Sequence, residues 1–184
     1  MIIGITGMLG AGKGVSAEYL ASKGLLHYSI RNFLASELNR RGIPASRSAL
    51  IDLGNELRAV FGPGYIVGKL QKGIPDNRDA VIESIRAVGE IESLRQNPDF
   101  QLVAVTTDAR IRYERLRQRN QEIDQISFEE FLGYQKRESV SGNPGEQNLL
   151  RCLEMADYTI TNNGDLSTLH HAWDDLLSTI KKAS

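Results

Sequence analysis

Four glycines flank one lysine near the start of the sequence, in Gly7-Met8-Leu9-Gly10-Ala11-Gly12-Lys13-Gly14, directly after the apolar run Ile2-Ile3-Gly4-Ile5. Glycine at these spacings lets the backbone turn successive N–H groups inward, and the start of a following helix adds positive potential. Lys13 contributes a mobile charge, so the stretch is a phosphate-binding loop suited best to a nucleoside triphosphate. Gly7, Gly10, Ala11, Gly12, Lys13, Gly14 and Val15 are the candidate donor contacts. The usual loop has Ser or Thr directly after the lysine to hold magnesium, whereas here Gly14 and Val15 come before Ser16. The metal site must therefore be built differently, with Ser16 as one candidate.

Glu83 ends the apolar run 80–85, which places a carboxylate beside the loop, where it can hold a magnesium-bound water. Arg86 follows within reach of an acceptor phosphate, with a salt bridge to Glu90 as the competing role. Arg31, Asn55 and Arg58 cluster as candidates for the acceptor's phosphate and base. A second run, Arg110, Arg112, Arg115, Arg117 and Arg119, lies within ten residues, and Lys136 and Arg137 follow it. Most arginines in such a helix belong to solvated ion pairs. Beside a phosphate loop, however, a planar and permanently charged fork is what phosphoryl transfer needs. His27, His170 and His171 are set aside as catalysts, because an acceptor phosphate is already anionic and asks for little base assistance.

Strand-like runs recur at 2–6, 25–28, 80–85, 101–106 and 157–161, separated by helical patterns at 13–23, 31–41, 46–61, 87–96, 109–119 and 165–181. That alternation predicts a parallel sheet with helices on both faces, with the ligand crevice beyond the carboxyl ends of its strands. Gly7, Tyr28, Glu83 and Thr106 arrive at that end. Trp173 with Leu166, Leu169, Leu176, Leu177 and Ile180 repeats at helical spacing and reads as core.

The 184 residues suit one domain, with 22 basic and 23 acidic side chains giving a net charge of −1. A balance that even argues against nucleic acid as a partner. The single cysteine, Cys152, excludes an internal disulfide and reads as a buried thiol. No run approaches the roughly 18 apolar residues of a membrane span, so the expected setting is cytoplasmic. The sequence carries no signal for oligomeric state.

Gly7-x-x-Gly10-x-Gly12-Lys13-Gly14 is similar to the loop of adenylate kinase and other nucleoside monophosphate kinases, with Val15 where they carry threonine. His27 to Leu34 resembles their second strand and monophosphate-binding helix, with Asn32 in place of a common aspartate. Arg115-Leu116-x-x-Arg119 resembles the helix entering their lid, and Ala156 to Gly164 resembles the last strand and base-side loop of dephospho-CoA kinases and deoxynucleoside monophosphate kinases. Small archaeal adenylate-kinase-like proteins are the most similar overall, and Glu83-Ser84-Ile85-Arg86 stands at their acidic-Gly-Ile-Arg motif.

The resemblance implies a single α/β P-loop domain over 1–184, with a five-stranded parallel sheet, acceptor-binding helices over about 29–75 and a short helical lid over about 119–146. It also implies ATP and Mg²⁺, with Arg115, Asn162, Asn163 and Gly164 on the nucleoside side. Ser29, Arg31, Asn32, Asn55, Arg58 and Arg86 fall on the acceptor side, and Lys13, Arg86, Arg119 and Arg137 act around the moving phosphoryl group. The expected reaction is transfer from ATP to a small phosphorylated acceptor, a nucleoside or deoxynucleoside monophosphate. A dephospho-CoA kinase-like enzyme and a nucleotide-binding switch with weak ATPase activity are the alternatives.

Overall fold

The computed structural model describes residues 1–118, 125–139 and 146–183. Strands β1 (Ile2–Thr6), β2 (Leu26–Ser29), β3 (Ala80–Ile85), β4 (Phe100–Thr106) and β5 (Tyr158–Thr161) form one parallel sheet in the order β2-β3-β1-β4-β5. Every residue of β1 and β3 is buried, as strands covered on both faces require.

The two-residue period of the strands divides the apolar residues between two cores. Ile3, Ile5, Val81, Val103 and Val105 face α1 (Lys13–Ser22) and α9 (Leu166–Ala183), where Leu20 and Trp173 complete the packing. Ile2, Ile82 and Leu102 face the opposite layer of α2 (Ile30–Arg40), α3 (Arg47–Phe61), α4 (Tyr65–Gln71), α5 (Val88–Leu94) and α8 (Leu149–Glu154). A third, smaller cluster of Leu9, Leu116 and Phe131 joins α6 (Ala109–Gln118) and α7 (Phe128–Ser139) to the phosphate loop.

Helix starts follow local chemistry. Ser29, Ser46 and Asn148 accept from the third residue of α2, α3 and α8, and Ser127 with Glu130 forms a reciprocal capping box at α7. Hydrogen bonds from Ser127 hold the Glu130 carboxyl below its ordinary pKa.

One helix differs from the sequence expectation: α8, of 6 residues, is too short for helical periodicity to register, whereas α4 falls within the span expected for acceptor-side helices and α7 within that of the helical lid. Of that lid, residues 119–124 and 140–145 lie outside the described residues. Leu166 corrects another expectation. It is 59% exposed because it occupies the first turn of α9, at the lip of a cleft rather than in the core.

The sheet carries one irregularity that shapes the crevice. Thr6 pairs with Ile85 while Ile5 pairs with Glu83, so Ser84 is skipped in the register. Ser84 takes a left-handed φ of 68°, and Thr6 Oγ1 donates to the Ile85 carbonyl at 2.9 Å. A non-glycine residue in this conformation at a ligand crevice is a local strain held by its surroundings.

Candidate functional site

The phosphate loop spans the turn between β1 and α1, and its carbonyls are tied back one by one. Lys13 Nζ donates to Gly7 O at 2.6 Å and Met8 O at 2.9 Å, Arg112 donates to Leu9 O at 3.0 Å, and Asn162 Nδ2 donates to Ala11 O at 2.9 Å. With these four carbonyls engaged, the first-turn amides of α1, which have no intrahelical acceptors, are polar groups left to a ligand. Gly12 caps α1 with φ 105°, and a β-carbon there would run into the Asn162 carboxamide. Only glycine satisfies both conditions.

Two clefts meet at this loop, and a third adjoins one of them. The first, of about 450 Å³, is lined by Gly10, Gly12, Val15, Arg115, Asn162 and Gly164 among others. Arg115 donates to Asn162 O at 2.8 Å and to Gly164 O at 2.7 Å, and Asn163 Oδ1 accepts from the Asp108 amide. Of the donor-side candidates, Gly10, Gly12, Val15, Arg115, Asn162 and Gly164 line this hollow, while Asn162 and Asn163 hold backbone rather than stand free.

The second cleft, of about 360 Å³, brings Lys13, Gly14, Glu83, Arg31, Asn32 and Arg86 together. Glu83 is 7% exposed, in register with Ile5 and Ser29, and accepts from Ser84 Oγ at 2.5 Å. Ser16 Oγ is buried with no hydrogen-bond partner. A carboxylate and an orphaned hydroxyl are hard oxygens that suit Mg²⁺ when phosphate and water complete its shell. Among the described residues no group of three or more His, Cys, Asp or Glu is placed to hold a metal ion.

The third cleft adjoins the second and shares Arg31, Arg47, Ser84 and Arg86 with it, adding Ile30, Leu34, Leu50, Ile51, Arg58 and Gln147. Ser29 holds the N-terminus of α2 as its cap. Arg58 and Asn55 are placed differently from the expectation that they meet acceptor phosphate and base. Arg58 forms a buried ion pair with Glu90 at 2.8 Å, its side chain 1% and that of Glu90 0% exposed, and also donates to Asn55 Oδ1 at 3.0 Å. Gly54, one turn earlier, leaves the space its guanidinium occupies. Glu90 also accepts from the Arg86 and Ala87 amides at 3.0 and 3.1 Å, so it meets the Arg86 backbone where a side-chain salt bridge was the alternative.

Arg137, expected at the phosphates, pairs with Asp52 and donates to Ser48 Oγ on α3. Arg119 lies outside the described residues. Sequence reasoning missed several participants. His27, set aside as a catalyst, is exposed in the second cleft because its strand position points it there. Arg47 follows a cap serine with nothing to mark it. Arg112, treated as one of a charged series, is 4% exposed. It donates to Thr107 O, Leu9 O and Gln135 Oε1 and lies 5.2 Å from the Phe131 ring centre. Burial lowers its pKa, offset in part by Asp108. Cys152 is buried as expected, and burial with the nearby Glu90 charge pushes its thiol up to about 12.

With this geometry in place, comparisons extend it. The AAA domain family matches residues 3–139. A UPF0200 protein of Pyrococcus abyssi is 31% identical over 170 residues, covering 89% of this chain and 88% of that relative. Another from Pyrococcus horikoshii is 28% identical over 98% and 97% of the two chains. Among solved structures, shikimate kinase from Acinetobacter baumannii, in complex with shikimate, aligns with a TM-score of 0.56 at 17% identity over 100% and 94% of the chains. Shikimate kinase from Aquifex aeolicus gives 0.55 at 15% over 100% and 98%. At such identities the structural likeness speaks for the fold, a P-loop kinase fold.

Proposed function

Since the chain belongs to the UPF0200 family and carries the AAA domain, we propose that it transfers the terminal phosphoryl group of ATP to a nucleoside or deoxynucleoside monophosphate. One observation carries this reading: Arg31, Arg47 and Arg86 line both the crevice beside Lys13 and the adjoining apolar cleft. Cations at that junction can hold an acceptor phosphate in line with the donor's terminal phosphate.

The loop amides and Lys13 stabilise charge on the donor phosphates, and Lys13 leaves the Gly7 and Met8 carbonyls to do so. Arg86 and Arg31 orient the acceptor. Arg115, Asn162 and Gly164 border the donor's nucleoside. Glu83 and Ser16 would hold Mg²⁺, which supplies charge neutralisation on the phosphates. The ion pair from Arg137 joins α7 to α3, the helix that walls the acceptor cleft.

Coupled ADP-release measurements with a panel of nucleoside monophosphates test the reading. Release should depend on one acceptor, and Lys13→Ala should lower kcat/KM by about a hundredfold or more. ADP release indifferent to every acceptor would instead identify a nucleotide switch or weak ATPase. Transfer to dephospho-CoA alone would identify the hydroxyl-acceptor alternative.

A further inference from the structure

Gln147 stands in the acceptor cleft with an unmet hydrogen-bonding need. Its side chain is 6% exposed, and Oε1 is buried without a hydrogen-bond partner. The backbone there is held firmly, through a bridge to Ala87 and a 2.9 Å hydrogen bond from the Asn148 amide to Arg86 O. The carboxamide is therefore presented by a fixed segment that is anchored to the Arg86 strand end.

Its surroundings narrow what can satisfy it. Ile30, Leu34, Leu50 and Ile51 form the apolar part of the same cleft, and Arg58 there is already paired with Glu90. The arginines lie at the end shared with the phosphate loop, so a phosphate placed on them sends the organic part of the acceptor toward Gln147. Beyond the arginines, a carboxamide placed among the four aliphatic residues can read the orientation and identity of a flat ligand. A sugar would bring several hydroxyls to be satisfied, whereas a heterocyclic base brings an edge.

We propose that Gln147 is the specificity-determining residue of the acceptor cleft, its Oε1 accepting an N–H from the acceptor's base between the aliphatic residues. This rests on the phosphotransfer reading above. A buried acceptor that loses its donor imposes a desolvation penalty equivalent to about 5- to 150-fold in affinity. The same factor should separate an acceptor with the N–H from one without it.

The test compares wild type, Gln147→Leu and Gln147→Glu. The preferred nucleoside monophosphate is set against a matched analogue whose N–H is deleted or methylated, for an amino purine the purine riboside 5′-monophosphate. Wild type should favour the N–H compound by the factor above. Gln147→Leu should raise KM for that compound and abolish the preference, with kcat and ATP affinity by calorimetry within about twofold. Gln147→Glu keeps an oxygen acceptor and should retain the preference. Thermal melts confirm that each variant folds. Preference intact in Gln147→Leu, or abolished by Gln147→Glu, overturns the assignment while leaving the phosphotransfer reading in place. Wild type that phosphorylates no nucleotide removes both.

Discussion

Replacing Glu90 by alanine should be among the most damaging single changes to this protein, although the residue lies away from the phosphate loop. The carboxylate is fully buried and accepts from Arg58 and from the Arg86 and Ala87 amides. Its removal leaves a guanidinium that is 1% exposed and two backbone donors without their acceptor. Breaking a buried ion pair from one side costs about 3–5 kcal/mol, and the lost contacts at the start of α5 add about 1 kcal/mol. The sum, about 4–6 kcal/mol, corresponds to a fall in Tm of roughly 10–20 °C for a chain of this size. Equilibrium urea unfolding at neutral pH, with the slope checked for constancy, measures it. Arg58→Met with Glu90→Gln removes both charges, and Gln still accepts from the amides, so the double variant should recover to within about 1–2 kcal/mol of wild type. A loss below about 1 kcal/mol for Glu90→Ala, or a double variant as unstable as the single, would refute the reasoning.

Gly12→Ala places a β-carbon against Asn162 at a left-handed φ, so calorimetry should show at least a tenfold loss of Mg·ATP affinity; unchanged affinity would contradict the loop geometry. The raised Cys152 pKa means the neutral thiol is favoured by folding, so its contribution is intact below about pH 9 and lost as pH rises toward about 12. Alkaline unfolding should therefore be steeper in wild type than in Cys152→Ala, by up to about 1.4 kcal/mol per pH unit, and thiol reagents at pH 8 should label the native protein slowly. Asp52→Ala removes an ion pair whose side chains are 61% and 44% exposed, so its stability should change by less than about 1 kcal/mol, read by the same urea unfolding.

The sheet and the phosphate loop were legible because their signals are local. Apolar runs of strand length alternate with helical periodicity, and the glycine spacing around Lys13 has few other uses. Glu83 and Arg86 were legible for the same reason, as a strand end beside that loop. What escaped depends on distant partners. Nothing near Arg58 in the chain announces Glu90, thirty-two positions later, and that partner is what turns a candidate phosphate ligand into a structural cation. Arg112 looks like its exposed neighbours until α7 and the loop close over it. Gln147 has no motif at all, and its significance arises only from the aliphatic wall opposite. Leu166 fitted the helical repeat of α9, but the first turn of that helix projects past the core.

Arg112 forms no ion pair among the described residues, yet it sits out of water against the phosphate loop, where the proposed reaction seats a triphosphate. A buried cation whose charge is only partly offset, here by Asp108, raises the energy of the empty protein and makes its surroundings electropositive before any ligand comes. An incoming polyanion relieves that imbalance, so part of its affinity is stored in the unliganded fold. Tolerance to heat and capture of phosphate esters are for that reason opposite faces of one side chain's placement.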